Sequence, residues 1–304
     1  MYNKLLYYLK GELSLKQNLL KILEQKMPNF SKGHKAVAEY IINHYDKAAF
    51  MTASVLGDTV GVSESTVVRF ASALGFDGYP KLQQALEELI KNRLTTAQRL
   101  DVTSEQMLGG DVLTRIINLD IDKLRRTCEE VSRKDFDGAL EAFLKAKNIY
   151  IVGVRSSFAI AQFVYYYFNQ IFENVRLINA TGNGEMFEQI FRINENDVIF
   201  GISFPRYSKK TVKAVKYAKE KGAKVVALTD INTSPLAEFA DYTLLARSDM
   251  ASFADSLVAP MSIVNSLLVA IGIRKREEIK DTYSALETIW EEYDVFDKSE
   301  GNTK

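Results

Sequence analysis

"VSESTVVRFASALGF", residues 62–76, follows Gly61 and sets a single arginine, Arg69, among serines and hydrophobes. Val67, Phe70, Ala71 and Leu74 recur at helical spacing and define one buried stripe. Ser63 stands at the N-cap, where its hydroxyl is expected to satisfy an orphan amide near Thr66, and Glu64 in the first turn suits the helix dipole. The opposite face carries Ser65, Arg69 and Ser72 at i, i+4 and i+7. A core helix has no need of so short-chained an outer face. Serines let a helix approach a groove wall, and an arginine there can reach a guanine edge or a phosphate.

The preceding segment supplies the other half of the unit. "TASVLGDTVG", residues 52–61, opens on Thr52 as N-cap and ends at Gly61, with Gly57 small where two helices would cross. A short helix, a glycine turn closed by Val62 and a second helix have the shape of a helix-turn-helix unit. A plain helical bundle with a solvated arginine is the alternative on spacing alone. Upstream, "KAVAEYIINHY" puts Val37, Ala38, Ile41, Ile42 and Tyr45 on one helical face. Downstream, a helix begins at Pro80 and aligns Leu82, Ala85, Leu86 and Leu89.

The chain has 304 residues, enough for about two domains, and an ordinary globular composition with 47% hydrophobic and 26% charged residues. No apolar run is long enough to predict a transmembrane helix. The N-terminus, with Lys4 and an apolar stretch broken by Lys10 and Glu12, lacks a secretory h-region. One cysteine, Cys128, excludes an intramolecular disulfide and fits a reducing cytoplasm. Two histidines, His34 and His44, read as surface or helix-flank residues and form no metal or catalytic cluster with it. Net charge is zero overall. Residues 1–100 hold 13 Lys and Arg against 9 Asp and Glu, a tilt of +4 that the remainder balances.

Residues 95–110 lose helical periodicity and end in Gly109-Gly110, which predicts a linker. A helix over 111–131 follows, with Val112, Ile116, Ile117, Ile121, Leu124 and Cys128 as its buried stripe and Cys128 as a small core hydrophobe. From residue 148 short apolar runs alternate with helical segments: "IYIVG", "VRLI", "DVIFGIS", "KVVALTD" and "YTLL". That alternation predicts βαβ units and a parallel sheet with helices on both faces. A helix near 252–272 is apolar around nearly its whole circumference, and one more helix beyond 280 holds Tyr283, Leu286, Ile289 and Trp290.

Two strand-to-helix turns carry candidate ligand residues. The first presents Gly153, Arg155, Ser156 and Ser157, the second Ser203, Arg206, Tyr207, Ser208 and Lys209. Unpaired amides at a helix N-terminus favour an anion, and serine hydroxyls and a bidentate arginine add to that preference. Open parallel sheets bind ligands at the carboxyl ends of their strands, where both turns fall. The competing readings are N-caps for the serines and a subunit interface for the arginines. Neither turn has the glycine pattern of a nucleotide site. No histidine follows residue 44 to act as general base, and Glu185 and Glu188 are the weak candidates for one.

Residues 51–86, "MTASVLGDTVGVSESTVVRFASALGFDGYPKLQQAL", closely resemble the N-terminal domain of RpiR-type bacterial transcriptional regulators. The likeness covers about residues 20–95. It implies a DNA-binding domain whose recognition helix carries Ser63, Glu64, Ser65, Thr66 and Arg69, with Tyr79 and Lys81 beyond it in a backbone-phosphate role. Residues 125–275, through "VVALTDINTSPLAEFADYTL", resemble the SIS (sugar isomerase) domain paired with it in that family. The resemblance implies phosphorylated-sugar binding through Ser156, Ser157, Ser203 and Ser208. The second turn departs from the family's Ser-x-Ser-Gly-x-Thr shape, with Pro205 in place of a serine and Arg206 in place of the glycine.

These readings combine into an all-α helix-turn-helix N-terminal domain and an α/β C-terminal domain with a doubly wound five-stranded parallel sheet. The boundaries are an N-terminal extension at 1–17, the DNA-binding domain at 18–94, a linker at 95–110, the SIS domain at 111–280 and a C-terminal helix and tail at 281–304. The expected function is a cytoplasmic regulator whose affinity for double-stranded operator DNA is set by a phosphorylated sugar or derivative. No catalytic residue, metal or cofactor is expected. A homodimer or homotetramer is, with the 252–272 helix at a symmetric interface, and no membrane partner. The alternative is a sugar-phosphate isomerase with an accessory helical domain.

Overall fold

The computed structural model describes residues 19–91, 96–107, 110–179, 184–248 and 254–296. The proposed extension at 1–17 lies outside them. The chain divides into two compact units, residues 1–115 with 249–255, and residues 116–248 with 256–304.

The first unit is helical: α1 (Leu19–Lys26), α2 (Lys32–Asn43), α3 (Tyr45–Ala48), α4 (Ala53–Val60), α5 (Glu64–Leu74), α6 (Tyr79–Lys91) and α7 (Thr96–Met107). Its core joins Leu19 and Leu23 to Val37, Ile41, Leu56, Val67, Phe70, Leu74, Leu82 and Leu86. The apolar stripes of α2, α5 and α6 face inward as their spacing requires, apart from Leu89, whose side chain lies outside the described set. His34 is built into this unit, its ring 5.6 Å from that of Phe70. The segment read as a linker is helical over Thr96–Met107. Its residues are adequate helix formers with no glycine or proline until Gly109, so weak amphipathicity there did not mean loss of the helix.

The second unit begins in α8 (Val112–Glu130) and continues through α9 (Arg133–Lys145), β1 (Ile149–Gly153), α10 (Ser156–Ile171), β2 (Val175–Leu177), α11 (Glu185–Ile190), β3 (Val198–Ile202), α12 (Lys209–Glu220), β4 (Lys224–Thr229), β5 (Tyr242–Leu245), α13 (Val258–Arg274) and α14 (Arg276–Glu292). The five strands are all parallel in the order β2-β1-β3-β4-β5. Strands β1 and β3 are buried along their whole length, as a sheet covered on both faces demands. One core holds Phe143, Phe168, Phe200 and Leu267, the other Met186, Ile199, Val215 and Val225. Helix α9 had no signal in the strand–helix alternation; it is capped by Ser132, which accepts from the Asp135 amide, and buries Ala139, Leu140 and Phe143.

Helix α8 keeps only part of its expected stripe. Leu124 packs against the core and Ile116 is half-buried, but Val112, Ile117, Ile121 and Cys128 are exposed, whereas Lys123 and Thr127 are buried. The buried polar residues meet polar partners. Thr127 Oγ1 accepts from the Arg247 amide at 2.9 Å, and Glu130 takes the Arg247 guanidinium through both carboxylate oxygens. Asp120 accepts from Lys123 and from Ser256. These charge-assisted bonds offset most of the cost of burying the polar groups, so this docking leaves Ile117 and Ile121 outside.

Candidate functional site

Two sites emerge, one in each unit. In the first, Thr52 caps α4 by accepting from the Val55 amide at 3.2 Å, and Gly61 ends it with φ 72, a left-handed conformation suited to glycine. Val62 donates back to the Gly57 carbonyl at 2.9 Å, which turns the chain into α5. Gly57 is required by this approach: a Cβ there would lie 2.7 Å from the Val62 carbonyl oxygen. The geometry is a helix-turn-helix unit with α5 as its second helix.

On α5 the residues Ser65, Arg69 and Ser72 are exposed together, with Ser63 and Glu64 at its start and Thr66 half-buried beside them. Arg69 Nε donates to the Ser65 carbonyl at 3.2 Å, which lays its stem along the helix. Ser63 does not cap an amide. Its hydroxyl bonds the hydroxyls of Ser65 at 3.0 Å and Thr66 at 2.9 Å, while the Thr66 amide bonds the Ser63 carbonyl. Lys26, unnoticed in the sequence, donates to the Ala73 carbonyl at 3.1 Å and so supports the negative end of α5. Lys81 is exposed and reaches Gln84. Tyr79 does not join this face. It is 3% exposed, and its hydroxyl donates to the Met51 carbonyl at 2.8 Å. Burial pushes its phenol up to about 12. Its aromatic body made it a core residue, with the polar tip spent on backbone.

In the second unit, strand order reverses between β1 and β3, and ligands in open sheets of this order bind outside the strand ends at that crevice. The two serine-arginine turns leave from these two strands. Gly153 and Ile202 are direct register partners, so the turns begin side by side. A Cβ on Gly153 would lie 2.6 Å from the Ser157 carbonyl oxygen, so only glycine lets α10 start this close. Ser157 is buried, and Ser156 and Arg155 are exposed. Arg155 has φ 60 and ψ −127, and Arg206 has φ 64. Both arginines thus sit in backbone conformations that side chains rarely adopt and that cluster at ligand sites.

The second turn is tied internally. Ser203 is buried and its hydroxyl accepts from the Ser208 amide at 3.1 Å; the Ser208 hydroxyl in turn accepts from the Thr211 amide at 3.4 Å. Lys209 is exposed on the first turn of α12. Thr211 Oγ1 is fully buried with no hydrogen-bond partner among the described residues. Tyr207 donates to Asp230 Oδ1 at 2.7 Å. Sequence reasoning missed Asp230 and Thr211. The signal for Asp230 was the end of the buried run "VVALTD", where a strand's carboxyl terminus meets the crevice. Among the described residues no cluster of His, Cys, Asp or Glu could hold a metal, and no single helix is long and apolar enough to cross a membrane.

Residues 17–93 match the helix-turn-helix domain of the rpiR family, and residues 142–270 match the SIS domain. An uncharacterised HTH-type transcriptional regulator of Clostridium perfringens is 27% identical over 86% of this chain and 94% of its own length. One from Haemophilus influenzae is 27% identical, covering 86% and 92%. The sugar isomerase domain of an RpiR transcription factor from Sphaerobacter thermophilus superposes with a TM-score of 0.55 at 27% identity, over 58% of this chain and 97% of that one. The Vibrio vulnificus NanR protein, solved with ManNAc-6P, shares the fold at TM-score 0.52 and 24% identity, over 90% and 98%. A helix-turn-helix unit joined to a SIS domain defines a two-part transcriptional regulator. The helix-turn-helix domain of this chain is that of the rpiR family.

Proposed function

We propose that the α/β unit binds a phosphorylated sugar or sugar derivative between the turns after β1 and β3, and that the bound ligand changes the affinity of the helix-turn-helix unit for its operator. The observation that carries this reading is the Gly153–Ile202 pairing, which sets two arginine- and serine-bearing helix starts side by side at the switch point of the sheet. Arg155, Ser156, Ser157, Arg206, Ser208 and Lys209 would receive the phosphate. Ser203, whose oxygen accepts from an amide, can still donate its proton. Tyr207 serves the turn rather than the ligand. A phosphorylated ligand bound by NanR accords with this chemistry.

On the DNA side, Ser65, Arg69 and Ser72 would meet the groove, and Ser63, Glu64, Thr66 and Lys81 its flanks. One unit makes few base contacts, so we place two of them on an inverted repeat and the chain in a homodimer or a higher homo-oligomer. The outward face of α13, with Val269 63% and Ile273 71% exposed, supports a second copy as its cover. Sedimentation at micromolar concentration tests this, and a monomer that still binds its operator specifically would refute it. Ligand control requires unequal ligand affinity in the two operator-binding states.

We propose no isomerase turnover: neither turn contains a histidine or glutamate as base, and Glu185 and Glu188 are exposed at the start of α11. Relatives named as transcriptional regulators accord with this. The protein works in the cytoplasm, where a bacterial operator lies. We keep the domain scheme given above, with residues 96–107 helical and grouped with the first unit. The test is thermal melting against phosphorylated sugars and their unphosphorylated parents, with gel shifts on the protein's own promoter region. A ligand at about 100 times its dissociation constant adds roughly 2.7 kcal/mol to the folded state. Equal shifts with both forms of the sugar would refute the phosphate reading.

A further inference from the structure

The turn Ser203-Phe204-Pro205-Arg206-Tyr207-Ser208 lacks both the glycine and the central serine of the pattern it resembles, yet it carries the chain from β3 into α12. Something must hold Arg206 at φ 64, because a residue with a side chain stays in the left-handed region only where its surroundings over-determine it. On the upstream side the Ser203 amide bonds the Leu228 carbonyl of β4 at 3.2 Å, and Phe204 and Pro205 are buried. On the downstream side the next residue, Tyr207, sends its hydroxyl to Asp230 Oδ1 at 2.7 Å. Asp230 is 2% exposed, one residue past the end of β4, and Thr229 Oγ1 lies 3.4 Å from the same oxygen. The turn is therefore anchored to β4 on both sides of Arg206. A carboxylate buried beside an anion site would also repel the anion unless donors engaged its charge, and a phenol bonded to a carboxylate is among the stronger hydrogen bonds.

We propose that Tyr207 and Asp230 are a positioning pair: their bond keeps Arg206 in its left-handed conformation and so keeps the anion-binding turn assembled before the ligand arrives. This rests on the reading of the turn as a phosphate site. Tyr207 contacts no ligand in this scheme; it replaces, by a side-chain tether, the conformational freedom that a glycine would provide.

The test is a cycle of four full-length proteins: wild type, Tyr207→Phe, Arg206→Gly and the double variant. Two readouts are taken. Amide hydrogen exchange at Ser208 and Thr211, whose amides bond Ser203 and Ser208, reports the turn without any ligand. Calorimetry with inorganic phosphate as the probe reports the site. Tyr207→Phe is expected to speed exchange at these two amides and to weaken phosphate about tenfold when residue 206 is arginine. In the Arg206→Gly background the same change should alter neither by more than about twofold, because glycine holds positive φ unaided. Equal effects in both backgrounds would overturn the proposal, as would exchange accelerated uniformly through the sheet, which marks a general loss of stability. Coupled exchange at the turn together with no phosphate binding by the wild type would leave the tether standing and refute the phosphate reading alone.

Discussion

Tyr79 Oη lies 2.8 Å from the carbonyl oxygen of Met51, tying the first turn of α6 to the residues that lead into α4. The bond fixes the scaffold behind α5 from within. Met51 keeps a second donor in Gln83 Nε2 at 3.2 Å, so removing the tyrosine hydroxyl leaves no orphaned acceptor. Tyr79→Phe is expected to cost about 0.5–1.5 kcal/mol of stability in the helical unit and to leave the salt dependence of operator binding unchanged. A reduced salt slope would show that Tyr79 contacts a phosphate after all.

The same tyrosine sets an alkaline limit. Its folded value, pushed up to about 12 from 10.0, means that the folded state holds the phenolic proton more tightly. Its contribution is fully present below about pH 10 and is lost as pH rises towards 12, by up to about 1.4 kcal/mol per pH unit. Melting of the helical unit followed from pH 9 to 12 should fall more steeply in wild type than in Tyr79→Phe. Parallel curves would contradict this.

Gly57→Ala puts a methyl group 2.7 Å from the Val62 carbonyl oxygen, a backbone atom with no rotamer to change. The turn must open, and we expect a loss of about 1–3 kcal/mol with a fall in operator affinity. An operator affinity and melting temperature equal to wild type would mean that α4 and α5 do not cross at this residue.

Arg69→Ala should leave melting within about 0.5 kcal/mol, because the side chain is exposed and bonds only its own helix backbone in the structure described. Operator affinity measured at fixed salt should fall by roughly 1–3 kcal/mol, the scale of a base-edge contact. Unchanged affinity would remove α5 from the groove.

In the α/β unit, burial would raise the Asp241 carboxyl, but hydrogen bonds from Lys219 and the Val225 amide and the charges of Lys219 and Lys224 outweigh it and lower it. A lowered carboxylate stabilises the fold above its unfolded value near 3.9 and loses that contribution as pH falls below it. Both lysines are substantially exposed, so solvent screens the pair and the contribution is on the order of 1 kcal/mol. Acid titration of melting should show a smaller decline below about pH 4 in Asp241→Asn than in wild type; an identical decline would assign acid sensitivity to other carboxylates.

The sequence by itself determined the elements whose signals are local. The stripe Val67, Phe70, Ala71 and Leu74 faces inward, Thr52 caps α4, Gly61 takes a left-handed turn, and the apolar runs from 149 to 245 form five parallel strands. Capping, period and backbone permission act over a few residues, so they are written in order along the chain. Only the tertiary structure decided the orientation of α8, because the partners of Thr127 and Glu130 lie at Arg247, 120 and 117 residues away. It alone turned Tyr79 inward to Met51 and joined Tyr207 to Asp230. It also set Gly153 against Ile202, since strand order is fixed by how helices cover the two faces of a sheet, a choice that no single strand encodes.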